Sequence, residues 1–151
     1  MLLHYFGSKE HLIAEVMAAV QRRFQDVFRG LLGRSQKADR PVLLQDFWRV
    51  LSDRSNRPLV RLLFEVQVLA LQNPKRYRHY LADVSTGWRD LIKQALPARG
   101  KDAATATLFN AVVDGLLLDL LSTGDLRRTS RALALFVGKD ARPSNRRPRK
   151  R

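Results

Sequence analysis

The sequence predicts an all-α fold, a bundle of about six helices, and three observations carry that prediction. Apolar residues recur at spacings of three and four in segment after segment. Proline and glycine fall between those segments and seldom inside them. No stretch alternates apolar and polar residues as a half-buried strand would.

The first helix is expected over Lys9–Leu32, with Leu12, Ile13, Val16, Met17, Val20, Phe24, Val27, Phe28, Leu31 and Leu32 on its apolar side. Ser8 suits its N-cap, because a hydroxyl there accepts from an otherwise unpaired amide. Gly30 and Gly33 allow the chain to leave the helix. At about 1.5 Å per residue this element is roughly 36 Å long. Pro41 opens a second helix bearing Leu43, Leu44, Phe47, Trp48 and Leu51, and Pro58 a third bearing Leu59, Leu62, Leu63, Val66, Leu69 and Ala70. Pro74 is expected to start the fourth, which runs through Tyr77, Leu81, Val84, Trp88, Leu91 and Ile92 to Leu96. A fifth follows over Asp102–Ser122, Gly124 turns the chain, and a sixth covers Leu126–Val137. Residues 139–151 are rich in Pro, Ser, Asn and Arg, and are expected to be a disordered basic tail.

The chain has 151 residues, 45% of them hydrophobic and 28% charged, which suits one soluble domain with a real core. It lacks cysteine, so disulfides, thiolate metal sites and cysteine nucleophiles are excluded. The longest nearly apolar run, Leu116–Leu121, is interrupted by Asp119 and is too short to cross a bilayer. With no secretory pattern at the N-terminus either, a cytoplasmic protein without membrane attachment is expected. The formal net charge is +14, and Arg142, Arg146, Arg147, Arg149, Lys150 and Arg151 crowd the end of the chain. Such a charge draws a protein to phosphate polymers or anionic membrane surfaces through a salt-sensitive, sequence-independent attraction, and it also serves simply as a solvated tail. All three readings stand for the tail.

The most specific local pattern is Leu2-Leu3-His4-Tyr5-Phe6-Gly7-Ser8-Lys9-Glu10-His11-Leu12. It resembles the motif of TetR-family transcriptional regulators that joins the recognition helix of the helix-turn-helix to the long helix after it. The resemblance implies that His4, Tyr5 and Lys9 contact DNA phosphates. A phenol or imidazole donor and an ammonium at a helix N-terminus suit that task, positioning without reading bases. The alternative for His4 and Tyr5 is a turn packed on the first long helix. The chain departs from the pattern at His11, where many members carry a Glu that closes a capping box. It also starts inside what would be the recognition helix, so DNA is an expected partner only if the missing N-terminal helices are present. Two readings of that start remain: a fragment of a full regulator, or a decayed or sensor-only protein. Residues 1–12 are then the remnant of the DNA-reading domain and the start of the linking helix, and 13–138 the ligand-binding and dimerising domain.

The architectural part of the resemblance includes Val113-Asp114-Gly115-Leu116, a sequence common in that family's dimerising region. The residues support the role independently. Leu108–Leu121 is apolar nearly all round, which requires burial on two sides, either by a second copy or by the rest of the same chain. Under the first alternative the last two helices meet their symmetry mates in a homodimer, with Val112, Leu116, Leu120, Leu133 and Phe136 at the interface. The middle helices are expected to enclose a small apolar or amphipathic effector. The candidate lining is Phe47, Trp48, Phe64, Glu65, Val68, Tyr77, Tyr80, Trp88 and Phe109. Glu65 has a competing reading as a surface partner of Arg61, four residues away.

Catalysis is not expected. His4, His11 and His79 have no metal-ligand spacing, there is no phosphate-cradling glycine loop or nucleophile elbow, and Asp114 and Asp119 do not share a helix face. No cofactor or metal is anticipated. The function expected is a TetR-like regulator sensing a small molecule, and more specifically a repressor; the alternative is a stand-alone helical ligand-binding or heterodimerising module without specific DNA binding.

Overall fold

The computed structural model describes residues 9–34, 40–96 and 102–138. Every element among them is helical: α1 (Lys9–Arg34), α2 (Arg40–Ser52), α3 (Arg57–Gln72), α4 (Arg78–Ala95), α5 (Ala103–Thr123) and α6 (Leu126–Phe136). Ser8, His4, Tyr5, the side chain of Lys9 and the tail at 139–151 lie outside the described residues.

α1 is the spine of the bundle. Met17, Gln21, Phe24, Gln25 and Phe28 form one buried stripe at three- and four-residue spacing, and α2, α3 and α4 all pack against this helix. Gly30 and Gly33 do not stop it; it runs on to Arg34, since a helical glycine costs only about 1 kcal/mol relative to alanine. α4 lies close against α1 at Gly87, where a Cβ would come within 2.7 Å of the Gln25 amide nitrogen. α5 packs against α4, and α6 folds back on α5 and reaches α2.

The main core joins Phe24 and Phe28 of α1 to Leu43, Phe47, Trp48 and Leu51 of α2, Val60 of α3, Leu91 and Ala95 of α4, Leu117 and Leu120 of α5, and Leu133 of α6. A second cluster, Met17, Val66, Ala70, Tyr77 and Tyr80, closes the end of the bundle where α3 turns into α4. That turn departs from the sequence expectation. Pro74 does not start a helix; the Asn73 carbonyl accepts from the amides of Arg76 and Tyr77, making one separate turn. Tyr77 then leaves helical geometry at φ −103° and ψ 19°, its ring is buried, and α4 begins at Arg78.

The last two helices are fixed by capping chemistry. Asp102 accepts from the Thr105 amide at 2.7 Å and Asp125 from the Arg128 amide at 2.9 Å. Between them Gly124 sits at φ +72°, the left-handed conformation a non-glycine residue avoids, and its amide closes α5 on the Leu120 carbonyl. Arg128 reaches back to Asp119 at 2.7 Å across the turn. Taken whole, α5 is long and apolar enough to cross a membrane by length and composition, although most of it is not buried in the bundle. The run Leu116–Leu121 understates this, because Asp114 and Asp119 are the only charged residues on the helix.

Candidate functional site: an aromatic cavity between the middle helices

All of α1 to α5 contribute to a cavity of about 320 Å³, within the range of small-molecule sites. Its inner wall is aromatic. Phe28 meets Phe47 edge-on with ring centroids 4.9 Å apart, and both approach Trp88, at 6.3 and 5.6 Å. The Trp88 indole is held in place by its N–H, which donates to the side-chain carbonyl of Gln21 on α1 at 2.6 Å. Phe64 of α3 and Phe109 of α5 complete the aromatic lining, and Phe109 is braced from behind by Phe136 of α6 at 4.8 Å.

A few polar groups interrupt these walls: Gln21, Gln67, Ser85, Arg89, Thr107, Asn110 and Asp114. Asn110 and Asp114 are one turn apart on α5, and the Asn110 amide donates to an Asp114 carboxylate oxygen at 2.7 Å. Enclosure by the surrounding protein pushes the Asp114 carboxyl up to about 6, against the pull of that amide. The side chain still reaches solvent at the cavity mouth. None of the ion pairs among the described residues involves it; the acids so paired include Asp26, Asp46, Glu65, Asp90, Asp119 and Asp125.

Of the nine lining residues expected from sequence, Phe47, Phe64, Trp88 and Phe109 reach the cavity. The other five do not, each for a local reason. Trp48 points to the far side of α2, where it is 4% exposed and its indole N–H donates to the Ser130 hydroxyl of α6 at 2.8 Å. Glu65 is on the outer surface and pairs with Arg61 at 2.8 Å, the competing reading given above. Val68 is 55% exposed. Tyr77 and Tyr80 belong to the second core cluster and flank a different groove between α1 and α4, of about 510 Å³. That groove is rimmed by His11, Glu15, Arg22, Arg76, His79 and Asp83, all exposed. Charges of both signs in contact with water make it a solvated surface, and the aromatic cavity is the better candidate. Among the described residues no three His, Asp or Glu side chains converge as metal ligands.

Sequence reasoning missed the polar members of the site. Gln21 was hidden because a glutamine breaks an apolar stripe without breaking the helix. Asn110 and Asp114 did carry a signal: two polar residues four apart share one face of a helix that is otherwise oily.

The expected self-association surface also needs correction. Leu120 and Leu133 are 1% and 2% exposed within this subunit's own core, so neither is free to meet a second copy. Val112, Leu116 and Phe136 are half-buried. The outward face of α5 is a different stripe, Ala104, Leu108, Ala111, Gly115, Leu118 and Ser122, every member exposed and none charged. Leu126 and Leu135 of α6 are exposed as well.

Comparison with known proteins adds no identification: no family model, no curated protein and no solved structure matches the chain.

Proposed function

We propose that the chain is the ligand-sensing and dimerising part of a TetR-like transcriptional regulator, a repressor that releases its operator when a small apolar or amphipathic molecule enters the aromatic cavity. The observation that carries the reading is that cavity, formed by five helices and closed against α1 by the Trp88–Gln21 hydrogen bond. α1 is the helix that, by the resemblance of residues 2–12, would lead from the DNA-reading head. An occupant touching Phe28 and the Trp88 indole therefore acts directly on it, provided the occupant prefers one position of α1 over another. The uncharged outer stripe of α5 supports pairing with a second copy, since about 25 cal/mol is gained per Å² of apolar surface covered.

The test combines sedimentation with titration of N-phenyl-1-naphthylamine, a neutral apolar fluorophore. The expected result is a dimer at micromolar concentration with one saturable dye site per subunit, and loss of the site in Val113→Phe, which fills the cavity from α5. A monomer without a saturable site removes this reading.

A further inference from the structure

Asp114 is the one carboxylate among the described residues that line the aromatic cavity. The chain has 28 Lys and Arg against 14 Asp and Glu, and several exposed acids, among them Asp26, Glu65 and Asp119, are ion-paired. No ion pair among the described residues involves Asp114; its hydrogen-bond partner is the neutral amide of Asn110. A carboxylate that lines an apolar cavity without a counter-ion is a ready partner for a cation entering there. The other ionisable group on the lining is Arg89 of α4, and its guanidinium donates at 3.4 Å to the Thr86 hydroxyl one turn back on its own helix.

The aromatic wall has a matching property. The faces of Trp88, Phe47 and Phe28 are regions of negative electrostatic potential, which attract cations and stack with other rings. An anionic guest would meet the unpaired carboxylate and the π-faces together, both repulsive. A neutral guest would satisfy the rings and leave the carboxylate without its partner. A guest with an aromatic body and one ammonium satisfies both.

We infer that the cavity takes an aromatic molecule carrying a single protonated amine, with the Asp114 carboxylate as the partner of that amine and Asn110 orienting the carboxylate. The inference rests on the reading of the cavity as a ligand site and names the chemical class of its ligand. The ring system stacks within the Phe28–Phe47–Trp88 wall, and the ammonium donates to Asp114 near the mouth.

Three probes on one ring system test it by displacing N-phenyl-1-naphthylamine from the full chain at pH 7.5: 2-naphthylmethylamine, 2-naphthalenemethanol and 2-naphthoate. A charge-assisted hydrogen bond corresponds to about tenfold or more in affinity, so the amine is expected to bind at least that much tighter than the alcohol. Asp114→Asn is expected to abolish the preference, lowering amine binding at least tenfold more than it lowers alcohol binding. Asp119→Asn, whose carboxylate pairs with Arg128, is expected to change neither. Equal binding of amine and alcohol overturns the inference, and that comparison needs no variant. A preference unaltered in folded Asp114→Asn overturns it too. Tightest binding by the naphthoate also overturns it and gives the polar end of the ligand to Arg89. If the dye binds but none of the three displaces it, the class is wrong. If the dye itself does not bind, the cavity reading beneath the inference fails first.

Discussion

Two stripes of this bundle make opposite use of the same helical periodicity. On α1, Met17, Gln21, Phe24, Gln25 and Phe28 are large and wholly enclosed by the chain's own helices. On α5, Ala104, Leu108, Ala111, Gly115, Leu118 and Ser122 are mostly small and stand bare. Bulky residues on α1 fill the space between packed helices; small ones on α5 leave room for another backbone to come close. A stripe of apolar residues thus predicts burial without saying by whom, and residue size separates the inward case from the outward one here.

Breaking the inner stripe is expected to have the largest effect. Phe28→Ala removes a ring that is 1% exposed and touches both Phe47 and Trp88, leaving a void in the main core. Urea unfolding is expected to report a loss of about 3–5 kcal/mol. A loss below about 1 kcal/mol means that α1 is not the organising helix.

The outer stripe is expected to respond in association. Leu118→Arg places a charge in the middle of the bare face of α5, where the leucine is 53% exposed. Each copy loses the burial of one leucine, worth about 1.5–3 kcal/mol, so sedimentation is expected to show at least a tenfold weaker dimer. An unchanged dimer constant places the interface elsewhere.

The smallest effect concerns pH and the point where the two stripes come nearest in function, the cavity mouth. The Asp114 carboxyl stands at about 6 in the folded protein, above its ordinary value near 4, so the fold favours its protonated form. Its ionisation therefore subtracts stability above about pH 6, and the penalty fades as pH falls from 6 toward 4. Asp114→Asn is expected to melt on the order of 2 °C higher than the parent at pH 7.5 and level with it at pH 4. Asp53, Asp102 and Asp119 are held below the ordinary range by hydrogen bonds from Ser55, Thr105 and Arg128, and they lose their contribution in acid equally in both proteins. A melting difference that does not change with pH contradicts the raised carboxyl.

The helices were legible in the sequence because three- and four-residue spacing is a one-dimensional signal. The site was only partly so. Successive helical residues diverge by about 100°, so Phe47 lines the cavity while Trp48 beside it turns to α6, and Phe64 faces inward while Glu65 faces water. Composition alone offers no way to choose between such neighbours. Pro74 misled for a related reason: proline marks a break in a helix, and the Asn73 carbonyl, through a hydrogen bond no residue pattern reveals, decided where the next helix began. Leu120 and Leu133 were misassigned because one apolar helix has two faces, and only packing distinguishes them.

The bond between Trp48 and Ser130 joins residues 82 positions apart. On a ribosome moving at about 5–20 residues per second, an indole made early waits on the order of ten seconds for the hydroxyl it must meet. Until α6 is synthesised, α2 keeps an unfinished flank and the main core lacks Leu133, its last member. The N-terminal helices of this protein therefore spend their first moments as an incomplete bundle in need of protection from neighbouring chains. A nascent chain halted before Ser130 is the form most exposed to aggregation.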